Sequence, residues 1–165
     1  MSAAPQQFCT FYIQGLLFGV EVETVQEVIR HLDMTGVPLA PAVVAGLINL
    51  RGQIVTAIDL RRRLGVGDRL AGELPMNVVV RTGDGAVSLL VDEIGDVVEV
   101  EEKDFEQAPD TLACTSRELI RGVYKLNHEL LLVLDTQRSV NISASAGESG
   151  PGVQDRQSTH RFGGN

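Results

Sequence analysis

From Phe8 to Leu134 the chain alternates short apolar runs with Gly, Asp and Pro, and no stretch keeps a helical repeat beyond about three turns. This pattern predicts a mainly β protein. Strands are expected at Phe8–Gln14, Leu17–Val22, Asp33–Val37, Gln53–Ile58, Met76–Arg81, Ala86–Val91, Val97–Val100, Gly122–Leu126 and Glu129–Leu134. Thr82-Gly83-Asp84-Gly85 offers the positive-φ residues of a hairpin turn, and Leu126-Asn127-His128-Glu129 reads as another.

The helices this patterning allows are short. Thr24-Val25-Gln26-Glu27 has capping-box spacing ahead of Val28, Ile29 and Leu32, and Thr115-Ser116-Arg117-Glu118 repeats the device ahead of Leu119 and Ile120. Asp59 and Asp135 each follow a strand and can cap a helical turn, Leu60–Leu64 closed by Gly65 in one case and Thr136–Val140 in the other. From Ser143 onward polar residues replace apolar ones, so residues 143–165 are expected to be a disordered tail.

A faint internal repeat runs through the apolar pattern. Val20–Val28 can be laid on Leu89–Val97 at an offset of 69 residues. Leu50-Arg51-Gly52 with its strand to Asp59 can be laid on Ile120-Arg121-Gly122 with a hairpin to Asp135 at an offset of 70. Two similar small barrels follow from this order.

Composition narrows the function. The formal net charge of −8 opposes a polyanionic partner, so nucleic acid is excluded, and no basic amphipathic helix is present to hold an anionic membrane surface. The first seven residues lack a secretory signal and no apolar run is long enough to span a membrane, which predicts a cytoplasmic protein without membrane insertion. Cys9 and Cys114 stand far apart without metal-ligand spacing and read as two reduced thiols.

Catalytic signatures are equally scarce. His128-Glu129 opens like a zinc-protease motif, but Leu132 stands where the second His is required. Gly65-Val66-Gly67 and Gly83-Asp84-Gly85 begin dinucleotide fingerprints without completing them and read as turns. The carboxylates between Asp92 and Glu106 lack calcium-loop spacing and read as a solvated acidic face, while Arg61-Arg62-Arg63 reads as an exposed connector. No enzyme activity, metal or cofactor is therefore expected.

Asn49-Leu50-Arg51-Gly52, followed by a strand into Asp59-Leu60-Arg61, resembles the signature of the CheW family of chemotaxis coupling proteins. Phe18-Gly19-Val20 through Val25-Gln26-Glu27-Val28 resembles that family's first block, and Leu90–Ile94 through Asp96-Val97-Val98 its middle block. The resemblance runs from about Phe8 to Ile142 and implies one CheW-like domain, 8–142, built as two SH3-like five-stranded barrels after a short extension, 1–7. It also implies a stand-alone scaffold joining the cytoplasmic tips of chemoreceptors (methyl-accepting chemotaxis proteins) to a CheA-type histidine kinase at membrane-associated receptor clusters. An adaptor of pilus motility or of another chemosensory pathway fits the same motifs. A small-molecule-binding barrel is the rival from a different class, and it would need a convergent polar pocket. Thr56 departs from the proline usual in the family, and the helix after Asp135 is short for it.

The resemblance places partner contact at Val25, Glu27, Asn49 and Arg51, at a groove between the barrels, and Val97 and Val98, the repeat partners of Val28 and Ile29, can line its opposite wall. Each has a structural alternative. Glu27 can close a capping box, the valines can fill core, and Arg51–Asp59 and Arg121–Asp135 can be ion pairs that clamp the two barrels.

Overall fold

In the computed structural model the described residues are 4–109 and 117–142. The predicted tail and the residues Thr115-Ser116 lie outside them, as does Cys114, while Cys9 is a buried free thiol. The fold is mainly β, with eleven strands in two sheets and only short helices among the described residues.

Chain order explains the sheets. β1 (Gln6–Ile13) and β2 (Leu16–Glu21) form a hairpin, and a 3-10 turn at Val22–Thr24 carries the chain across to β3 (Val25–Ile29). β4 (Val44–Leu50) and β5 (Gln53–Asp59) form a second hairpin that ends in helix α1 (Leu60–Leu64). A third hairpin, β6 (Met76–Thr82) with β7 (Gly85–Val91), is followed by β8 (Glu93–Val100). The short β9 (Phe105–Glu106), then β10 (Ile120–Lys125), β11 (Leu130–Leu134) and helix α2 (Thr136–Val140) follow among the described residues.

One sheet runs β8-β1-β2-β11-β10-β9 and the other β3-β6-β7-β5-β4. Five strands of the first match the second in order, and both halves contain one parallel pair, β2 with β11 and β7 with β5. The registers agree as well: Phe8 opposite Glu21 becomes Asn77 opposite Leu90, and Cys9 opposite Val97 becomes Val78 opposite Val28. The repeat at 69 residues is therefore structural, and it includes an exchange. β3 follows β2 in sequence yet pairs with β6, while β8 follows β7 yet pairs with β1, so each SH3-like barrel takes one strand from the other half.

Beyond this point the second repeat changes register. β4 and β5 match β10 and β11 at an offset of 76, since Val44 opposite Ile58 becomes Ile120 opposite Leu134 and Gly46 opposite Ala57 becomes Gly122 opposite Val133. The predicted offset of 70 is corrected accordingly: Arg121 is the counterpart of Ala45, not of Arg51.

A continuous core joins the barrels through Phe11, Phe18, Val20, Ile58, Leu89, Val91, Leu132 and Leu134, all buried in one cluster. Two local expectations fail. The capping box at Thr24 does not open a helix, because the Thr24 hydroxyl donates to the Glu21 carbonyl and the chain extends directly into β3. Asp33–Val37 is not a strand and contributes only the single bridge of Thr35 to Leu47. By contrast, Asp59 accepts from the Arg61 amide at 3.0 Å and Asp135 from the Arg138 amide at 3.1 Å, so both predicted helix caps are present. Thr56 lies on central strand β5 between Leu47 and Val87.

Candidate protein-interaction site

The β4–β5 hairpin turns through two residues, Arg51 at φ 53° and Gly52 at φ 87°. Two successive positive φ values are what a type I′ turn requires; glycine adopts the second freely, whereas arginine is held in the first at a cost. Asn49 offsets part of that cost, since its Oδ1 accepts the Gly52 N–H at 2.9 Å. The motif thus fixes where the Arg51 side chain points.

That direction is toward β3. Arg51 Nη2 donates to Glu27 Oε2 at 3.0 Å, joining an arginine side chain 80% exposed to a carboxylate 19% exposed. Beneath the pair, Leu50, Val55 and Val79 form a buried cluster against which Ile29 and Leu32 pack, so strand and hairpin tip are held together by apolar contact. An ion pair this open to water adds only about 0.2–1 kcal/mol to stability. Its surviving chemistry is a guanidinium with unspent donors, fixed at the surface beside an acidic group.

Glu27, Asn49 and Arg51 therefore converge on one edge of the second barrel. Val25, on the same strand as Glu27, is half-buried and packs on the main core. Val98 is elsewhere, paired with Phe8 and packed against the first barrel's own cluster. Glu27 serves the surface pair and caps no helix.

The two expected clamps are corrected. Arg51 does not reach Asp59, because the turn that carries it lies at the opposite end of β5. Arg121 pairs with Glu21 at 2.9 Å, and Asp135 faces Arg138. Asp59 receives Arg69 at 3.1 Å instead.

A separate ion network escaped the sequence reading. Arg61 Nε and Nη2 donate to the two oxygens of Asp92 at 2.8 and 2.7 Å, Arg69 Nε lies 3.3 Å from the same carboxylate, and the Gln14 amide donates to it at 2.8 Å. Burial pushes the Asp92 carboxyl up, but Arg61, the Gln14 amide and Arg69 outweigh it and hold the group below its ordinary value. Asp92 sits where β7 crosses to β8, so the network ties α1 and the β1–β2 turn to a crossover. Arg63 adds a second tie, donating to the Arg138 and Ser139 carbonyls at the end of α2. Arg61 and Arg63 thus tie the two halves together, whereas Arg62 is half-exposed and bonds Asp68 and the Ala42 carbonyl within its own half, and Asp92 is not part of a solvated face. An Arg-rich helix following a strand-ending Asp was the available signal.

Among the described residues no group of His, Cys, Asp and Glu is gathered as metal ligands, and no helix is long and apolar enough to cross a membrane.

Comparison with known proteins agrees with this architecture. The family model described as CheW-like domain matches residues 7–143. A Treponema pallidum protein named chemotaxis protein CheW is 30% identical over 139 residues, covering 80% of each chain. Its Bacillus subtilis namesake is 26% identical over 85% of this chain and 90% of its own. The crystal structure of the scaffolding protein TtCheW from Thermoanaerobacter tengcongensis superposes with a TM-score of 0.72 at 26% identity, over 80% of this chain and 90% of that one. With the signature hairpin, the paired barrels and a family match that spans both, this chain belongs to the CheW-like domain family.

Proposed function

We propose that this protein is a non-catalytic adaptor of chemotaxis signal transduction, coupling chemoreceptor cytoplasmic tips to a CheA-type histidine kinase at membrane-associated receptor clusters. The observation that carries this reading is the Arg51–Glu27 pair on the signature hairpin. A guanidinium 80% exposed, with its backbone held in a left-handed turn, contributes little to stability and is suited to recognition. Glu27 and the Asn49-braced turn form the receptor contact, and Val25 supports β3 from beneath. Val98 belongs to the packing of the first barrel, and its part in recognition is to hold the surface on which the kinase docks. The names of the relatives, chemotaxis proteins CheW and a scaffolding protein, support the same assignment.

Co-sedimentation with receptor cytoplasmic fragments and a CheA-type kinase, with kinase activity recorded, tests the proposal. The protein is expected to bring kinase and receptor into one pellet and to change kinase activity there. Binding to neither partner would remove the reading.

A further inference from the structure

The duplication provides an internal control for one cavity. In the second barrel Ile48, Ala57 and Leu90 form a closed apolar cluster with Leu32, Met34 and Ala45 packed against it. Strand registers place the counterparts in the first barrel at Tyr124 for Ile48, Val133 for Ala57 and Glu21 for Leu90. Arg121 stands for Ala45 at the equivalent register shift, and Phe105 beside Tyr124 stands for Met34 beside the Thr35–Leu47 bridge. The positions that pack as an apolar cluster in one repeat line, in the other, an open cavity of about 400 Å³, together with Phe8, Gln6 and Glu102.

Its walls define a chemistry. Phe105 lies over the Gly122 backbone, so close that a Cβ there would overlap the ring, and it meets Tyr124 edge-on at 5.2 Å. Phe105 nonetheless stays 41% exposed, which leaves aromatic surface for a ligand. Arg121 is spent on Glu21 at 2.9 Å, and the Tyr124 hydroxyl donates to Gln6 Oε1 at 3.2 Å. Among the described residues Glu102 has no ion-pair partner. The field here is negative: beyond burial, Glu102 raises the Tyr124 hydroxyl's pKa by more than Arg121 lowers it.

We infer that this cavity is a binding site for an arginine side chain presented by a partner protein. Its planar guanidinium stacks on Phe105 while donating to Glu102 and to the free lone pair of Gln6. A lysine cannot stack in that way and fits less well. In the second barrel the matching positions are the apolar Met34 and Leu90, which offer a guanidinium neither an aromatic face nor a carboxylate.

Titration of the full chain with N-acetyl-arginine amide, followed by NMR, tests the inference. Phe105, Tyr124 and Gly122 signals are expected to shift saturably at millimolar concentration, while N-acetyl-norleucine amide leaves them unmoved and N-acetyl-lysine amide binds several-fold more weakly. Glu102→Gln, at an exposed position, should weaken arginine binding at least about 3-fold with the fold unchanged. Arg121→Ala should strengthen it by releasing Glu21. The inference is overturned if no saturable shift is seen, if norleucine binds equally, if Glu102→Gln is without effect, or if Arg121→Ala weakens binding. The probe is a single amino-acid amide, so none of these results depends on whether an adaptor assembly forms.

Discussion

Asp92→Asn removes the charge at the centre of the crossover network with almost no change in shape. The carboxylate accepts two bonds from Arg61, one from the Gln14 amide and a close approach from Arg69. The side chains of Arg61, Asp92 and Arg69 are only 14, 18 and 10% exposed, so Arg61, losing its carboxylate, and Arg69, left with Asp59 alone, cannot turn fully to water. Breaking a fully buried pair costs about 3–5 kcal/mol and an exposed pair about 0.2–1 kcal/mol. At this partial burial the loss should be about 2–3 kcal/mol, seen in urea unfolding as a lower midpoint at constant slope. The pH dependence has a definite sign. The Asp92 carboxyl lies below its ordinary value when folded, so its stabilisation is complete above the unfolded pKa of about 3.9 and is lost as pH falls through the folded value. The gap between wild type and Asp92→Asn should therefore be constant near neutrality and shrink below about pH 4. A difference under about 0.5 kcal/mol at pH 7 would refute the structural role of the network.

Other perturbations probe the duplicated hairpins. Gly46→Ala would put a Cβ 2.7 Å from the Thr35 carbonyl oxygen and should cost about 1–3 kcal/mol in thermal unfolding. Gly122→Ala meets the Phe105 ring and should open the β9–β10 pairing, seen as faster amide exchange at Tyr124 and Phe105. Asn49→Ala removes the bond to Gly52 and should cost about 0.5–1.5 kcal/mol by urea unfolding.

Local pattern made much of the fold legible. Turn residues and apolar runs located β1, β2, β5, β6, β7, β10 and β11 to within two residues, and Asp59 and Asp135 announced both helix caps. β3 was misread because Thr24 and Glu27 imitate a capping box, although Val25, Glu27 and Ile29 already alternate with exposed Gln26 and Val28. β4 gave no strand signal, since Gly46 interrupts it and apolar residues lie on both faces. Strand exchange between halves was beyond local reasoning, because the partners of β3 and β8 are remote in sequence. The clamp at Arg121 failed for a related reason: Arg-Gly recurs by coincidence, six residues out of the structural register. Within the site, the hairpin signature was legible but the Arg51–Glu27 contact was not, as it depends on the exchanged strand.

The central claim is that Arg51 is held for recognition rather than for stability, and Arg51→Asn separates the two. Asparagine suits the left-handed position better than arginine, so the turn should keep or gain stability while the guanidinium is lost. Affinity for a receptor cytoplasmic fragment, measured by titration calorimetry beside a thermal melt, is predicted to fall at least about 10-fold with the melting temperature unchanged or raised, a loss of about 1.4 kcal/mol. Unchanged affinity in a folded Arg51→Asn protein would contradict the account.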